Sequence, residues 1–235
     1  MKAVLQKIIA MSGYSSRRQA EELIRNGLVS LNGQLAFLGD SADPQKDIIE
    51  INGKTIASLP QPIYIKFNKP LGYVCTNRYF KNEKNIFDLV DINERLFVVG
   101  RLDKDSRGLL LLTNDGDLTQ KLCHPKFEHE KVYEVKVAGE IANPNAIINK
   151  LKTGIDIGEG DGLVKAKEAK YLQNGIFIIT LSEGKKRQIR RMLGWLNLNV
   201  IDLKRISLAS LRLGNLKEGA WEELTSEELK MIKEI

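Results

Sequence analysis

Two apolar runs, Phe97-Val98-Val99 and Leu109-Leu110-Leu111-Leu112, enclose the charged segment Gly100-Arg101-Leu102-Asp103-Lys104-Asp105-Ser106-Arg107-Gly108, and this arrangement constrains the fold more than any other part of the chain. The four-leucine run is short and is closed by Asn114-Asp115-Gly116, which fits a buried strand better than a helix. Charges do not enter a core unpaired, so the segment between the runs must be a loop standing at the edge of a buried sheet. By base rates alone such a loop is a solvated turn.

The chain around this loop divides into two patterns. Leu5, Ile8 and Ile9 repeat at helical spacing, and after Ser12-Gly13 a second helical pattern runs through Ala20, Leu23 and Ile24. Ser16 with Gln19 three residues on predicts a capping box, and Asn26-Gly27 predicts a left-handed stop. Arg17 and Arg18 fall in the first turn, where the helix dipole prefers acids, so the two cations call for a separate reason. Val29-Ser30-Leu31 leads into Asn32-Gly33, and Ile49-Glu50-Ile51 into Asn52-Gly53, each a strand entering a tight turn. A small helix-helix-sheet domain is expected over residues 1–60, with Pro60-Gln61-Pro62 as a linker.

Residues 61–235 are strand-rich. Strands are expected over 63–67, 97–99, 109–112, 132–137 and 176–181, and helices over 117–123, 144–151, 187–196 and 226–235, the last capped by Thr225. The elements do not alternate as βαβ units would, so the fold class is α+β with a mixed, mainly antiparallel sheet and flanking helices.

Several kinds of chemistry find no site. Cys75 and Cys123 stand far apart and fit neither a disulfide framework nor a zinc ribbon, which suits a reducing cytoplasm. No secretory segment or membrane span is visible, so a cytoplasmic protein without membrane association is expected. Asp103-x-Asp105-x-Arg107 begins like a calcium loop but has Arg107 at the fifth position and Asn114 at the twelfth, where a bidentate Glu is needed. His124 and His129 lack zinc-ligand spacing. No phosphate-binding loop or dinucleotide fingerprint occurs, so no metal and no cofactor are expected. With 36 Lys and Arg against 30 Asp and Glu, the net charge of +6 leans mildly toward a polyanionic partner.

The charged loop resembles the signature of the ribosomal-RNA pseudouridine synthases, in which G-R-L-D is followed by D-[ST]-x-G-L-L-L-L-T-N-D-G. Lys69-Pro70-Leu71-Gly72-Tyr73 is similar to the family's K-P-x-G segment, and His124-Pro125 through Lys131-Val132-Tyr133 to its H-P…K-x-Y segment. Glu183-Gly184-Lys185-Lys186-Arg187-Gln188-Ile189-Arg190-Arg191-Met192 resembles E-G-x-x-R-Q-I-R-R-M, Leu203-Lys204-Arg205 the following L-x-R, and Gly219-Ala220-Trp221 with Leu224-Thr225 the closing G-x-W-x-x-L-T. Order and spacing agree from about residue 63 to 229. The first sixty residues resemble the ribosomal-protein-S-four type of RNA-binding domain, except that Ala3-Val4-Leu5-Gln6-Lys7 lacks the family's early Arg.

The resemblance implies conversion of uridine to pseudouridine in ribosomal RNA: the ribose–nitrogen bond breaks, the base turns and the ribose rejoins it through carbon. It assigns Asp103 as the catalytic carboxylate, which must be charged in a pocket that excludes water, and so must have a cation nearby. The resemblance carries that cation onto Arg190, with Arg187 and Arg191 as competitors, because a guanidinium holds a carboxylate without losing its proton. It makes Tyr133 the ring that stacks on the target base, Leu203 the apolar contact on its other side, and Arg101 the group that braces the gap when the base leaves its stack. The alternative for Arg101 is an ion pair with Asp105.

Arg17 and Arg18, with Arg107 and the basic run of Lys185, Lys186, Arg187, Arg191, Lys204 and Arg205, are expected to track phosphate. The partner implied is ribosomal RNA or a pre-ribosomal particle, large-subunit RNA before small-subunit RNA, and a monomer suffices. A non-catalytic RNA-binding or ribosome-assembly factor is the competing reading.

Overall fold

The computed structural model describes residues 2–56 and 59–235. The fold is α+β and divides into two compact units. The first runs to Ile63 and takes in Ile92–Leu96 and Asn114–Gly116; the second holds the remainder.

In the first unit, helix Leu5–Met11 buries Leu5, Ile8, Ile9 and Ala10, and helix Arg17–Arg25 buries Ala20 and Ile24. The Ser16 side chain accepts from the Gln19 amide, and the Gln19 side chain accepts from the Ser16 amide, so the capping box is formed. Both helices pack on a four-stranded antiparallel sheet that carries the expected turns at Asn32-Gly33 and Asn52-Gly53. The only apolar side available to these short elements is the one they share, so the ten buried residues from Leu5 to Ile51 make one small core.

A nine-stranded sheet builds the second unit. Seven strands run in the order Glu168–Tyr171, Ile176–Leu181, Lys131–Val137, Val200–Leu208, Arg107–Thr113, Tyr64–Lys69 and Trp221–Glu223. Phe97–Val99 adds to Arg107–Thr113, and Leu211–Arg212 to Val200–Leu208. All pairings in this sheet are antiparallel except one: Arg107–Thr113 meets Val200–Leu208 in parallel through Arg107 opposite Lys204 and Gly108 opposite Arg205. There the backbones pass so closely that a Cβ on Gly108 would lie 2.3 Å from the Arg205 carbonyl oxygen, and Gly108 also has φ +105°, so no other residue fits. Leu109 to Leu112 are wholly buried, as expected of a central strand.

The strand Val200–Leu208, which lies at the centre of the sheet, was not among the expected strands. Its inward positions are Leu203, Arg205 and Ser207, so a buried cation interrupts the apolar alternation that identifies strands. Trp221–Glu223 escaped for a related reason, being a short edge strand with two exposed acids.

Candidate active site

The loop from Gly100 to Gly108 is held from behind by cations. Arg205 is 1% exposed. Its Nε donates to the Leu109 carbonyl and its Nη2 to the Gly100 carbonyl, both at 2.7 Å, so one guanidinium joins the two ends of the loop. Lys69, fully buried, donates from Nζ to the carbonyls of Ser106 at 2.5 Å, Pro70 at 3.0 Å and Lys104 at 3.4 Å. Burial lowers the pKa of this ammonium, against the opposing pull of Cys75, Asp105 and Asp103. Loops of this size leave carbonyls without strand partners, and here the buried cations supply the donors.

The two carboxylates of the loop are treated differently. Asp105 is gripped by Arg187, whose Nη1 lies 3.0 and 2.8 Å from its two oxygens, and by Arg190, whose Nε lies 3.4 Å away. Arg190 also donates from Nη2 to the Asp105 carbonyl at 2.6 Å and from Nη1 to the Val200 carbonyl at 3.0 Å. Partial burial raises the Asp105 carboxyl, but the Arg187 hydrogen bond and both guanidinium charges outweigh it and hold the group below the usual carboxylate range. Asp103, by contrast, is half-buried and forms no ion pair among the described residues. It lines a cavity of about 1030 Å³.

Tyr133, Leu203 and Arg101 line the same cavity. A register shift between Val132 and Tyr133 sets Tyr133 opposite Arg205, while Val135 stands opposite Leu203. Residues two apart on a strand share a face, so Lys131 and Tyr133 on one strand, and Leu203 and Arg205 on its neighbour, are brought to one wall. The opening is large enough for a nucleotide-sized ligand. Its chemistry is that of a free carboxylate beside a phenol and an apolar side chain.

The structure brings some expected residues together and separates others. Arg101 is exposed at the cavity, and the alternative partner considered for it, Asp105, is taken by Arg187 and Arg190. The pairing expected between Arg190 and Asp103 is not formed: Arg190 is not among the cavity's lining and holds Asp105 instead, two residues further along the loop.

Three expected phosphate contacts are occupied within the protein. Arg205 is enclosed. Arg107 is bidentate to Asp202 at 2.9 and 2.5 Å. Arg191 donates to the carbonyls of Ile157 and Gly158 and to the Asp161 carboxylate. Each cation already has its hydrogen-bonding capacity committed, which is what such runs conceal when read as sequence. Arg17, Arg18 and Lys186 are exposed, Lys204 is half-buried, and Arg187 is exposed while engaged with Asp105.

Lys185, expected as part of the phosphate-tracking run, lines the cavity, and so does Lys131, which sequence reasoning missed as a site residue. Lys185 is exposed, and the buried Gln188 side chain accepts from its backbone amide at 3.0 Å and donates to Glu183 at 3.0 Å. Lys131 carried a usable signal, standing two residues before Tyr133 on a strand. Burial lowers its pKa, and the Arg205 charge adds to the effect. Among the described residues no group of three or more His, Cys, Asp or Glu is placed to hold a metal ion, and no helix is long and apolar enough to cross a membrane.

Comparison with known proteins bears on the whole chain. Residues 63–195 match the family model of RNA pseudouridylate synthase, and residues 5–36 match that of the S4 domain. The chain is 40% identical over 234 residues to ribosomal large subunit pseudouridine synthase B of Bacillus subtilis, covering 97% of this chain and 95% of that protein. It is 38% identical over 229 residues to the dual-specificity RNA pseudouridine synthase RluF of Escherichia coli K12, covering 96% of this chain and 76% of that protein. A crystal structure of a pseudouridylate synthase superposes with a TM-score of 0.70 at 30% identity, covering 97% of this chain and 99% of the other.

Proposed function

The chain belongs to the RNA pseudouridylate synthase family, and from that premise we propose that it converts uridine to pseudouridine in large-subunit ribosomal RNA, with Asp103 as its catalytic carboxylate. Residues 61–235 carry the chemistry and residues 1–60 serve RNA binding. One observation carries the assignment of Asp103: the loop's other carboxylate, Asp105, is bound by two arginines, whereas Asp103 faces the cavity with no ion pair among the described residues.

The reaction moves the glycosidic bond from N1 to C5 of the same base, so that N1 gains a proton and C5 loses one, with no change of composition. A carboxylate beside the ribose or the base stabilises the separated fragments electrostatically or as a nucleophile, provided its geometry is fixed beforehand. The cations behind the loop supply that rigidity. Tyr133 offers a face for the base and Leu203 an apolar contact, and Arg101 braces the strand from which the base has been withdrawn. Arg190 acts as a positioning residue, holding Asp105 and through it the loop. Arg17, Arg18, Lys186, Arg187 and Lys204 are the phosphate contacts retained under this reading.

The test is carbodiimide mapping of pseudouridine in cells lacking the protein, complemented with wild type or Asp103→Asn. A large-subunit site restored by wild type alone is the expected result, with the variant still binding RNA. Full restoration by Asp103→Asn would overturn the role of Asp103. A site lost from small-subunit or transfer RNA instead would overturn the substrate.

A further inference from the structure

The segment between strands Tyr73–Val74 and Lys84–Asn85 exposes two adjacent aromatic residues, Tyr79 at 70% and Phe80 at 54%. Such side chains cost free energy in water, and a plain connection would carry polar residues at its tip. They are flanked by cations, giving the order Arg78-Tyr79-Phe80-Lys81. Glu83 is the acid of this segment, and it is paired with Lys104 at 2.6 Å, so the tip presents positive charge.

The base of the segment is fastened. Asn85, 1% exposed, donates from Nδ2 to the carbonyls of Thr76 at 2.7 Å and Arg78 at 3.2 Å. Its own amide donates to Asp88 at 2.8 Å, and the Arg78 amide donates to the Thr76 hydroxyl at 3.1 Å. The Glu83–Lys104 pair ties the segment to the residue after Asp103. Arg78 and Phe80 line the same cavity as Asp103. A polar, buried frame thus holds a bare aromatic tip at the rim of the site.

We propose that Arg78-Tyr79-Phe80-Lys81 is a subsite for single-stranded RNA at the mouth of the cavity, its two rings stacking on nucleotides that adjoin the target uridine and its two cations holding their phosphates. This rests on the reading that the cavity receives a uridine from RNA. A pair of aromatics flanked by cations suits a strand of unpaired nucleotides, because every base has a face to stack and every linkage a phosphate to neutralise. A protein partner would be satisfied by apolar area alone, and the test separates the two.

The test compares wild type with the double variants Tyr79→Ala/Phe80→Ala and Tyr79→Leu/Phe80→Leu, and with Phe80→Tyr. The probe is a transcript of the large-subunit RNA segment containing the mapped site; Kd is read by filter binding and kcat/KM by product formation. Both double variants should keep the wild-type thermal midpoint, since the side chains are exposed, yet raise Kd and lower kcat/KM on the order of thirtyfold, the effect expected when stacking on a base is lost. Phe80→Tyr should match wild type, because the ring face is retained. An alanine double variant within about twofold of wild type in both constants would overturn the subsite. Leucines that fully replace the aromatic pair would overturn stacking as its basis. A wild type that binds the transcript and converts no uridine would overturn the catalytic reading, and the Kd comparison would still decide the subsite.

Discussion

At the scale of single residues, the site depends on buried cations that hold its own backbone. Arg205 lies inside the sheet and spends its guanidinium on the carbonyls of Gly100 and Leu109, at the two ends of the loop that carries Asp103. Arg205→Met keeps much of the volume but leaves both carbonyls without their donor, at a cost of about 2–5 kcal/mol in all. The urea midpoint should fall accordingly, and an unchanged midpoint would show that the two bonds contribute nothing net. Where the variant remains folded, turnover should drop on the order of a hundredfold, because a displacement near 1 Å at a reacting group has that effect. RNA affinity should change far less. Equal losses in binding and turnover would mean that Arg205 acts on the RNA surface and not through the loop. From sequence this residue looked like one more member of a basic run: Leu203-Lys204-Arg205 shows charge, but not that a strand turns alternate charges to opposite faces.

At the scale of elements, the sheet has one parallel contact, and Arg107 with Asp202 spans it. The hydrogen bonds from Arg107 lower the Asp202 carboxyl below its ordinary value, more than partial burial raises it. A carboxyl depressed in the folded state contributes stability that is complete above the unfolded value of about 3.9 and disappears as pH falls through the folded value. Wild type should therefore lose stability on acidification to below pH ~4 more steeply than Asp202→Asn, which has no such carboxyl to protonate. At pH 7 the variant should melt about 2–4 °C lower, as expected for the loss of about 1 kcal/mol from a chain of this size. Parallel acid limbs for the two proteins in a thermal scan series would remove the pair from the account of stability.

The elements around this junction differ in how far the sequence discloses them. The four-leucine strand and the capped helices Arg17–Arg25 and Ser226–Lys233 are local in origin, with apolar runs or capping boxes that act within a few residues. Val200–Leu208 is a strand because both its neighbours are strands. The partners on these two neighbours lie 63 to 77 and 97 residues away in sequence, and no local pattern reports that. The site follows the same division: Asp103, Tyr133 and Leu203 stand in recognisable motifs, whereas the partner of Arg190 depended on a loop path set by Lys69, far upstream.

At the scale of the whole molecule, the count of 36 Lys and Arg overstates the cations open to a polyanion, since Arg107, Arg191 and Arg205 are committed to internal partners. Affinity must then draw on cations that remain exposed, and Arg17 and Arg18 in the first unit are two of these. Their place in the first turn of a helix is unfavourable for the isolated protein, because the dipole there repels positive charge. An RNA phosphate removes that conflict and releases counterions as it does so. Replacing both by alanine should weaken binding to the ribosomal RNA transcript and reduce the slope of log Kobs against log salt by about 1.5, close to two phosphate contacts. Helix stability should not fall, as alanine has the highest helix propensity and the repulsion is removed. At saturating RNA the conversion rate should equal that of wild type, since neither residue lines the cavity. An unchanged salt slope would mean that the S4-like unit does not contact phosphate through this helix. A lower rate at saturation would mean that its grip also sets how the uridine is presented to Asp103.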